Sequence, residues 1–178
     1  MEKDFKMTAT TLFGLEGVLA EELKNLGAQD VKEAVRSVSF RGDKGFMYKA
    51  NIALRTAVRI LKPIKICKIY DEEDLYDSIQ KIKWENYLDV EGTFAIGAVV
   101  NSKNFTTNSH YISLKSKDSF ADYFRHKYSK RPNVDLKYPD VNIHIHIHKE
   151  WLTVSIDSSV VSFHNRFYRT ATSIAPIT

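Results

Sequence analysis

The sequence predicts an α+β protein with two domains, the first of order βαββαβ and ferredoxin-like. Three observations support this fold class. The 178 residues are 43% hydrophobic and 27% charged, which is typical of a globular chain long enough for one large or two small domains. The hydrophobic residues change repeatedly between strand-like and helix-like spacing. An acidic run, Asp71–Asp74, marks the start of a second set of elements.

The first six predicted elements give the βαββαβ order of a ferredoxin-like domain. Gly27 is expected to end the first helix, and Asp43 is a candidate N-cap for the second. Pro63 favours an edge position or a bulge for the last strand, because proline cannot donate to a central ladder. The predicted elements are a strand over 6–11, a helix over 15–26, strands over 31–35 and 38–41, a helix over 46–57 and a strand over 60–69.

The predicted second domain begins with the acids of Asp71–Asp74, which suit the positive end of a helix dipole. Residues 141–148 alternate hydrophobic and polar side chains, the period of a strand with one face on a core. The expected domains are therefore 1–70, 71–165 and, in 166–178, the start of a linker. The predicted elements after this helix are a strand over 93–101, a polar loop over 102–110, a helix over 117–128 that buries Phe120, Ala121 and Phe124, and strands over 141–148 and 151–156.

Several functional classes are excluded by composition. No apolar run approaches the roughly 20 residues of a membrane span, and no signal peptide is evident, so we expect a cytoplasmic protein without a membrane partner. The single cysteine, Cys67, cannot form an intrachain disulfide or supply a thiolate cage for zinc. All seven glycines precede residue 98 and none lies in a nucleotide-binding loop, while no serine or cysteine has a catalytic context. We therefore expect no catalytic residue and no cofactor site in this chain.

The run of His144, His146 and His148 raises the question of a metal site. Imidazoles two residues apart lie on one face of a strand, and two of them can share an ion. The third is about 13 Å from the first at roughly 3.3 Å per residue, too far to join them. We expect no metal here and interpret the histidines as the polar face of the strand, open to solvent or phosphates. A metal-binding or small-ligand domain remains an alternative.

The net charge of +4 is unevenly distributed. Residues 101–178 carry 11 of the 26 basic side chains but only 6 of the 22 acidic ones. Aromatic residues, namely Phe105, Tyr111, Tyr123 and Tyr128, are interleaved with the basic stretch 103–131, and a basic aromatic tail follows over 163–169. Lysine and arginine bind phosphates and exposed aromatics stack on bases, so the pattern favours RNA. Packing of Tyr123 and Tyr128, and a protein-interaction module with a solvated basic surface, remain alternatives. The candidate RNA contacts are Lys103, Lys115, Lys117, Arg125, Lys127, Arg131, Arg166 and Arg169.

Five stretches of the chain resemble the THUMP-containing RNA methyltransferases. The opening strand and helix of that family commonly carry Gly-Leu-Glu followed by Leu-Ala-Glu-Glu-Leu, which here are Gly14–Glu16 and Leu19–Leu23. The order and spacing of these stretches cover nearly the whole chain. The similar stretches are 8–26, 117–125, 131–135, 139–147 and 155–169.

This resemblance implies a ferredoxin-like domain followed by a THUMP domain over 71–165, both holding structured RNA. It also implies a Rossmann-like domain that uses S-adenosylmethionine, on guanine N2 of 23S rRNA or, as the near alternative, on tRNA. A recognition module of a tRNA-thiolating or tRNA-deaminating enzyme is the runner-up. Arg166, Tyr168 and Arg169 match the family as RNA or interdomain contacts, whereas Val160 and Phe167 stand where the family usually has glycine.

Neither a glycine-rich cofactor loop nor an Asn/Asp-Pro-Pro-aromatic motif occurs in the 178 residues. We therefore interpret the chain as the RNA-binding part of a longer protein. On this interpretation it binds RNA and leaves catalysis and S-adenosylmethionine to a domain outside it, and the sequence predicts no protein partner.

Overall fold

The computed structural model describes residues 4–102 and 108–159, which form two compact units. The first unit contains residues 4–62 and 157–159, and the second contains the remaining ones between 63 and 156. In the part of the chain that is described, no helix has the length and apolar character that a membrane span requires.

The first unit has the predicted βαββαβ order, and the ferredoxin-like fold class is confirmed. Its strands are arranged β2-β3-β1-β4, and every described pair of neighbours is antiparallel. Met7, Phe40 and Ile60 pack with Leu19 and Leu23 of the first helix in a fully buried core. The elements are β1 (Phe5–Thr11), α1 (Glu16–Leu26), β2 (Gln29–Ala34), β3 (Ser37–Gly42), α2 (Lys44–Ala53) and the first half of β4 (Ala57–Lys68).

The Gly-Leu-Glu motif has a structural role in this unit. Glu16 accepts hydrogen bonds from the backbone N–H groups of Gly14 (2.7 Å) and Arg36 (2.9 Å), which ties the start of α1 to the β2–β3 turn. The Arg36 N–H is the largest of the effects that lower the pKa of Glu16. Gly14 itself has a φ of 87°, a conformation that glycine adopts without steric cost. The motif therefore holds two loops together.

Glu22, from the Leu-Ala-Glu-Glu-Leu stretch, has the same kind of role. Its carboxylate accepts from the backbone N–H groups of Arg55 and Thr56, both at 3.2 Å, and from the Thr56 hydroxyl at 2.8 Å. Three donors on one carboxylate fix the loop between α2 and β4 against α1. The two motifs in the first of the similar stretches thus stabilise backbone turns.

Strands of the second unit are arranged β4-β8-β7-β5-β6. β5 is parallel to β6 and β7, whereas β7 and β8 are antiparallel. Both helices, α3 and α4, contribute to one core with the same face of β7. The elements are the second half of β4, α3 (Glu72–Gln80), a short 3-10 helix (Trp84–Asn86), β5 (Thr93–Asn101), α4 (Ser109–Tyr128), β6 (Asn133–Val134), β7 (Val141–His148) and β8 (Trp151–Asp157).

Aromatic side chains dominate the core of the second unit. Phe120 is fully buried, and its ring centroid lies 4.8 Å from that of Trp84, 4.3 Å from that of Phe94 and 5.2 Å from that of Phe124. The Trp84 indole N–H donates to the carbonyl of Ile79 at 2.9 Å, so its polar atom is satisfied. The predicted burial of Phe120 and Phe124 is confirmed.

Several of the predicted bounds needed correction. The second helix was predicted over 46–57, but α2 ends at Ala53 and Ala57 already begins β4. α4 begins at Ser109, two turns before the predicted start at Lys117, because Asn108 caps it by accepting from the Tyr111 N–H at 2.9 Å. Ile112 faces the core in these extra turns, so the predicted polar loop over 102–110 was wrong at its C-terminal end. The two-residue strand β6 was not predicted. The caps at Asp43 and Gly27 are confirmed, and β4 pairs with β1 only as far as Leu61, two residues before Pro63.

Candidate nucleic-acid interface

A groove of about 230 Å³ in the second unit brings three of the predicted basic residues together. Lys117 and Arg125 lie on one face of α4, two turns apart, with Ala121 between them. Arg131 comes from the segment after the helix. The lining residues are Phe94, Lys117, Asp118, Ala121, Arg125, Arg131, Pro132, Asn133 and Val134.

The wall opposite α4 is formed by the chain that turns back after the helix. Ser129 adopts a left-handed φ of 55° and its N–H donates to the Arg125 carbonyl, which ends the helix and reverses the chain. Asn133 then donates its N–H to the carbonyl of Gly92 (3.2 Å), and Asp135 donates to that of Phe94 (3.1 Å). These bonds fix β6 beside β5 and place Arg131 across the groove from α4.

Arg125 is held in position by an acidic neighbour. Its guanidinium donates to Asp122 at 2.8 Å, and Asp122 also accepts from the Tyr76 hydroxyl at 2.8 Å. Burial by itself favours the neutral acid, but the bonds from Tyr76 and Arg125 keep the pKa of Asp122 below its ordinary value. Asp122 therefore stays ionised and orients Arg125, which remains half exposed.

Unlike Arg125, Lys117 and Arg131 are not held by an acidic side chain of the described residues. In the described ranges, no acidic side chain forms an ion pair or hydrogen bond with either of them. Asp118 also lines the groove, so the lining carries three cations and one acid. Two cations that have no acidic partner among the described residues, beside an oriented guanidinium, are suited to bind phosphate oxygens.

The other predicted RNA contacts lie elsewhere or outside the described residues. Lys115 is placed over the ring of Tyr76, with its ammonium 5.8 Å from the ring centroid. Lys127 forms an ion pair with Glu85, which also accepts from Tyr123. Neither lysine lines the groove. The predicted contacts Lys103, Arg166 and Arg169, with Phe105 and the positions Val160 and Phe167, lie outside the residues that the structure describes.

The Glu85–Lys127 pair predicts a defined pH dependence of stability. The hydrogen bond from Lys127, assisted by that from Tyr123, lowers the pKa of Glu85 to about 2 and raises that of Lys127. A lowered acid pKa adds stability above the unfolded value near 4.5, and this stability is lost as the pH falls toward 2. The raised lysine pKa adds stability that is lost only as the pH rises above 10.5.

Glu85→Gln is therefore expected to lower the thermal midpoint at pH 7 and to have a much smaller effect at pH 2, where the carboxyl is largely protonated in the unfolded chain and partly protonated in the folded one. Thermal unfolding curves of both proteins between pH 2 and pH 7 measure the difference. A double-mutant cycle with Lys127→Met is the control, because the effect of Glu85→Gln has to shrink once its main partner is gone. A difference that is constant across this pH range would contradict the assignment.

The tyrosines of the basic stretch are engaged within the fold. Tyr111 donates its hydroxyl to Glu72 at 2.7 Å, and Tyr123 donates to Glu85. Tyr128 stacks on Phe124 with ring centroids 6.0 Å apart. Of the two alternatives for Tyr123 and Tyr128, these contacts favour packing.

The three histidines of β7 lie on the face of the strand opposite its buried isoleucines. The rings of His146 and His148 stack with centroids 6.3 Å apart. Within residues 4–102 and 108–159, no three His, Cys, Asp or Glu side chains are grouped closely enough to hold a metal ion.

The glycines do not form a cradle for S-adenosylmethionine. Gly42 and Gly92 are packed against the side chains of Phe46 and Leu88, and Gly14 and Gly27 adopt the positive φ of tight turns. The sulfonium of S-adenosylmethionine is positively charged and needs neutral or acidic partners. The groove instead presents three cations. Neither these four glycines nor the groove therefore fits this cofactor.

Sequence reasoning found the cations of the groove but missed the residues that complete it. Phe94 forms its apolar floor, and Pro132, Asn133 and Val134 form its second wall. A strand of two residues is too short to show a periodicity in the sequence. The one sequence signal for this wall was the similarity of residues 131–135 to the THUMP-containing family.

Domain comparisons agree with the observed fold. Residues 70–157 match the THUMP domain, and residues 6–61 match the RlmL ferredoxin-like domain. The chain is thus a protein of the ferredoxin-like and THUMP two-domain class, as the resemblance implied.

Named relatives cover the chain almost completely. A Synechocystis sp. protein named RNA methyltransferase slr0064 is 39% identical over 170 residues, 95% of this chain and 44% of that protein. The ribosomal RNA large subunit methyltransferase K/L of Syntrophotalea carbinolica is 34% identical over 177 residues, 99% of this chain and 25% of that protein. The chain accordingly contains a THUMP domain preceded by an RlmL-type ferredoxin-like domain.

Solved structures give the same result. A Listeria monocytogenes protein described as an N6-adenine-specific DNA methylase superposes with a TM-score of 0.80 at 26% identity, covering 98% of this chain and 46% of that one. SMU.472, described as a methyltransferase complexed with SAH, gives a TM-score of 0.79 at 28% identity, with 98% and 47% covered. The chain spans less than half the length of each of these four proteins.

Proposed function

We propose that this chain is the RNA-binding part of an S-adenosylmethionine-dependent RNA methyltransferase. The observation that carries the proposal is the groove between α4 and β6, in which Lys117, Arg125 and Arg131 converge inside a THUMP domain. Both relatives carry the name of an RNA methyltransferase, and one neighbouring structure contains SAH. RNA binding by the whole THUMP family is consistent with such a groove.

The division of labour follows from what the residues can do. The groove offers charge for phosphates but no glycine cradle for a cofactor and no activated nucleophile. Contacts to phosphates fix the position and orientation of an RNA, while the chemistry on a base requires a separate pocket. Cofactor binding and methyl transfer therefore belong to residues outside this chain.

The finer proposal is that the RNA is ribosomal and that the target is guanine N2 of 23S rRNA. The name of the Syntrophotalea relative supports the large-subunit RNA as substrate. The target atom rests on the family resemblance. Transfer RNA is the competing ligand, since the groove recognises phosphates that both RNAs share.

Titration of the 178-residue chain with structured RNAs tests this proposal. The probes are a folded 23S rRNA fragment, an unmodified tRNA and a DNA duplex of equal charge, each at 0.05 and 0.2 M salt. We expect the rRNA fragment to bind most tightly, with affinity that falls as salt increases because counterions are released. Equal binding of all three would contradict RNA recognition, and a preference for tRNA would replace the rRNA assignment.

A further inference from the structure

The sheet of the second unit has one face that its helices do not cover. Cys67 of β4 contacts Ser78 of α3 at 3.4 Å, so the alternating neighbour Lys68 points to the opposite side. Ile147 and Leu152 are fully buried on the helix side, which directs His148 and Trp151 to the same open face as Lys68. We call this the open sheet face. Its members include Lys68, His146, His148 and Trp151.

Rings are aligned across this face. His148 of β7 lies directly opposite Trp151 of β8 in the antiparallel register. The His146 and His148 rings are stacked at an interplanar angle of 20°, with centroids 6.3 Å apart. Trp151 is 48% exposed, so much of the indole surface is open to a ligand. Three ring systems therefore follow one another along two adjacent strands.

Charge on this face favours an anion. The ammonium of Lys68 lies 5.5 Å from the centroid of the Trp151 ring. Apart from the short β6, the strand segments of this unit contain no aspartate or glutamate. These segments are residues 63–68, 93–101, 141–148 and 151–156. A ligand stacked on Trp151 would thus meet a cation at its edge and no opposing acid from the strands.

We propose that the open sheet face binds unpaired nucleotides of RNA by stacking, with Trp151 and His148 against bases and Lys68 beside a phosphate. Base–aromatic stacking with a neighbouring cation is a general means of binding single strands. Paired bases in a helix do not expose their ring faces. We therefore expect this surface to bind loops or single-stranded ends of RNA. The inference rests on the proposed function for the choice of RNA, but it uses a surface distinct from the groove.

Tryptophan fluorescence offers a direct test, because the chain has two tryptophans in different environments. Trp84 is 1% exposed and Trp151 is 48% exposed. The probe is a single-stranded oligoadenylate of eight nucleotides, titrated into the 178-residue chain. We expect it to quench the emission of Trp151 and to protect it from acrylamide, and Trp151→Phe should remove both effects while the Trp84 signal remains.

Affinity of the same oligonucleotide is the second readout. The double variant that combines Trp151→Ala with His148→Ala is expected to bind the oligoadenylate about tenfold or more weakly. This is the effect expected from the loss of stacking on one or two bases. Trp151→Phe retains a ring and should retain most of the affinity. Tyr138→Ala is the control, since Tyr138 is a more exposed aromatic (72%) on the loop before β7 and outside this face. Equal circular dichroism spectra establish that each variant is folded.

The outcomes separate this inference from the proposed function. Loss of oligoadenylate binding with unchanged binding of a blunt-ended RNA duplex supports a stacking surface distinct from the groove. Unchanged oligoadenylate affinity in the double variant overturns the inference, whereas duplex binding that depends on Lys117 and Arg131 would still support the groove. If neither RNA binds the parent chain, both proposals fail. If Trp151 becomes protected from acrylamide as the protein concentration rises in the absence of RNA, the open sheet face joins two copies of the chain and the inference is wrong.

Discussion

Replacing Lys117 and Arg131 with alanine is expected to weaken the binding of structured RNA about thirtyfold at 0.1 M salt. These are the two groove cations without an acidic partner in the described ranges, so each is available to a phosphate. Neutralised phosphates release counterions, and the loss of two contacts should reduce the slope of log affinity against log salt by about two units. Fluorescence anisotropy with a labelled rRNA fragment at several salt concentrations measures both quantities.

A control of equal charge is available on the same unit. Lys81 pairs with Asp77 at 3.9 Å and Lys130 pairs with Glu91 at 3.0 Å, and both lie outside the groove. The double variant Lys81→Ala with Lys130→Ala removes the same net charge. We expect it to change the affinity less than threefold and to leave the slope nearly intact. Equal losses in the two double variants would mean that RNA responds to net charge and that the groove is not the contact surface.

Phe120→Ala is expected to have the largest effect on stability, about 3–5 kcal/mol of the free energy of unfolding. Its ring lies at the centre of the aromatic cluster, fully buried between Trp84, Phe94 and Phe124. Truncation removes apolar contacts and leaves a cavity that rigid neighbouring rings cannot close. Denaturation in urea, followed through the fluorescence of Trp84 in a Trp151→Phe background, reports on this cluster directly.

Phe13→Ala is the matched control for this substitution. Phe13 is 75% exposed, so the same change of side chain removes little buried surface and should alter stability by less than about 0.5 kcal/mol. Phe120→Leu is expected to fall between the two, since leucine refills part of the cavity. Similar midpoints for Phe120→Ala and the parent chain would show that the ring is not central to the core.

Elements with a strong period were predictable from the sequence. Residues 141–148 alternate strictly, and the structure places a strand over the same residues. The βαββαβ order of the first unit followed in the same way, because Gly27 and Asp43 mark helix ends chemically. For these elements local propensity and tertiary packing favour the same structure.

Other features depend on contacts between residues distant in sequence. The first two turns of α4 include three serines and one lysine, and the burial of Ile112 in the core stabilises them as helix together with the cap at Asn108. The groove could be predicted as a set of cations but not as a shape, since Arg131 reaches it through a chain reversal at Ser129. Lys127 carried the same charge signal as Lys117, and its engagement with Glu85, 42 residues away, has no local signature.

The two-residue length of β6 gives the groove walls unequal rigidity. The α4 wall is part of the cooperative core, so moving it requires the free energy of unfolding the domain. The β6 wall is a strand of only two residues, held to β5 by bonds that include those from Asn133 and Asp135, and we expect it to open locally at a lower free energy. One side of the groove thus serves as a fixed reference for position along an RNA. The other side can adjust its width to backbones of different curvature without a loss of fold.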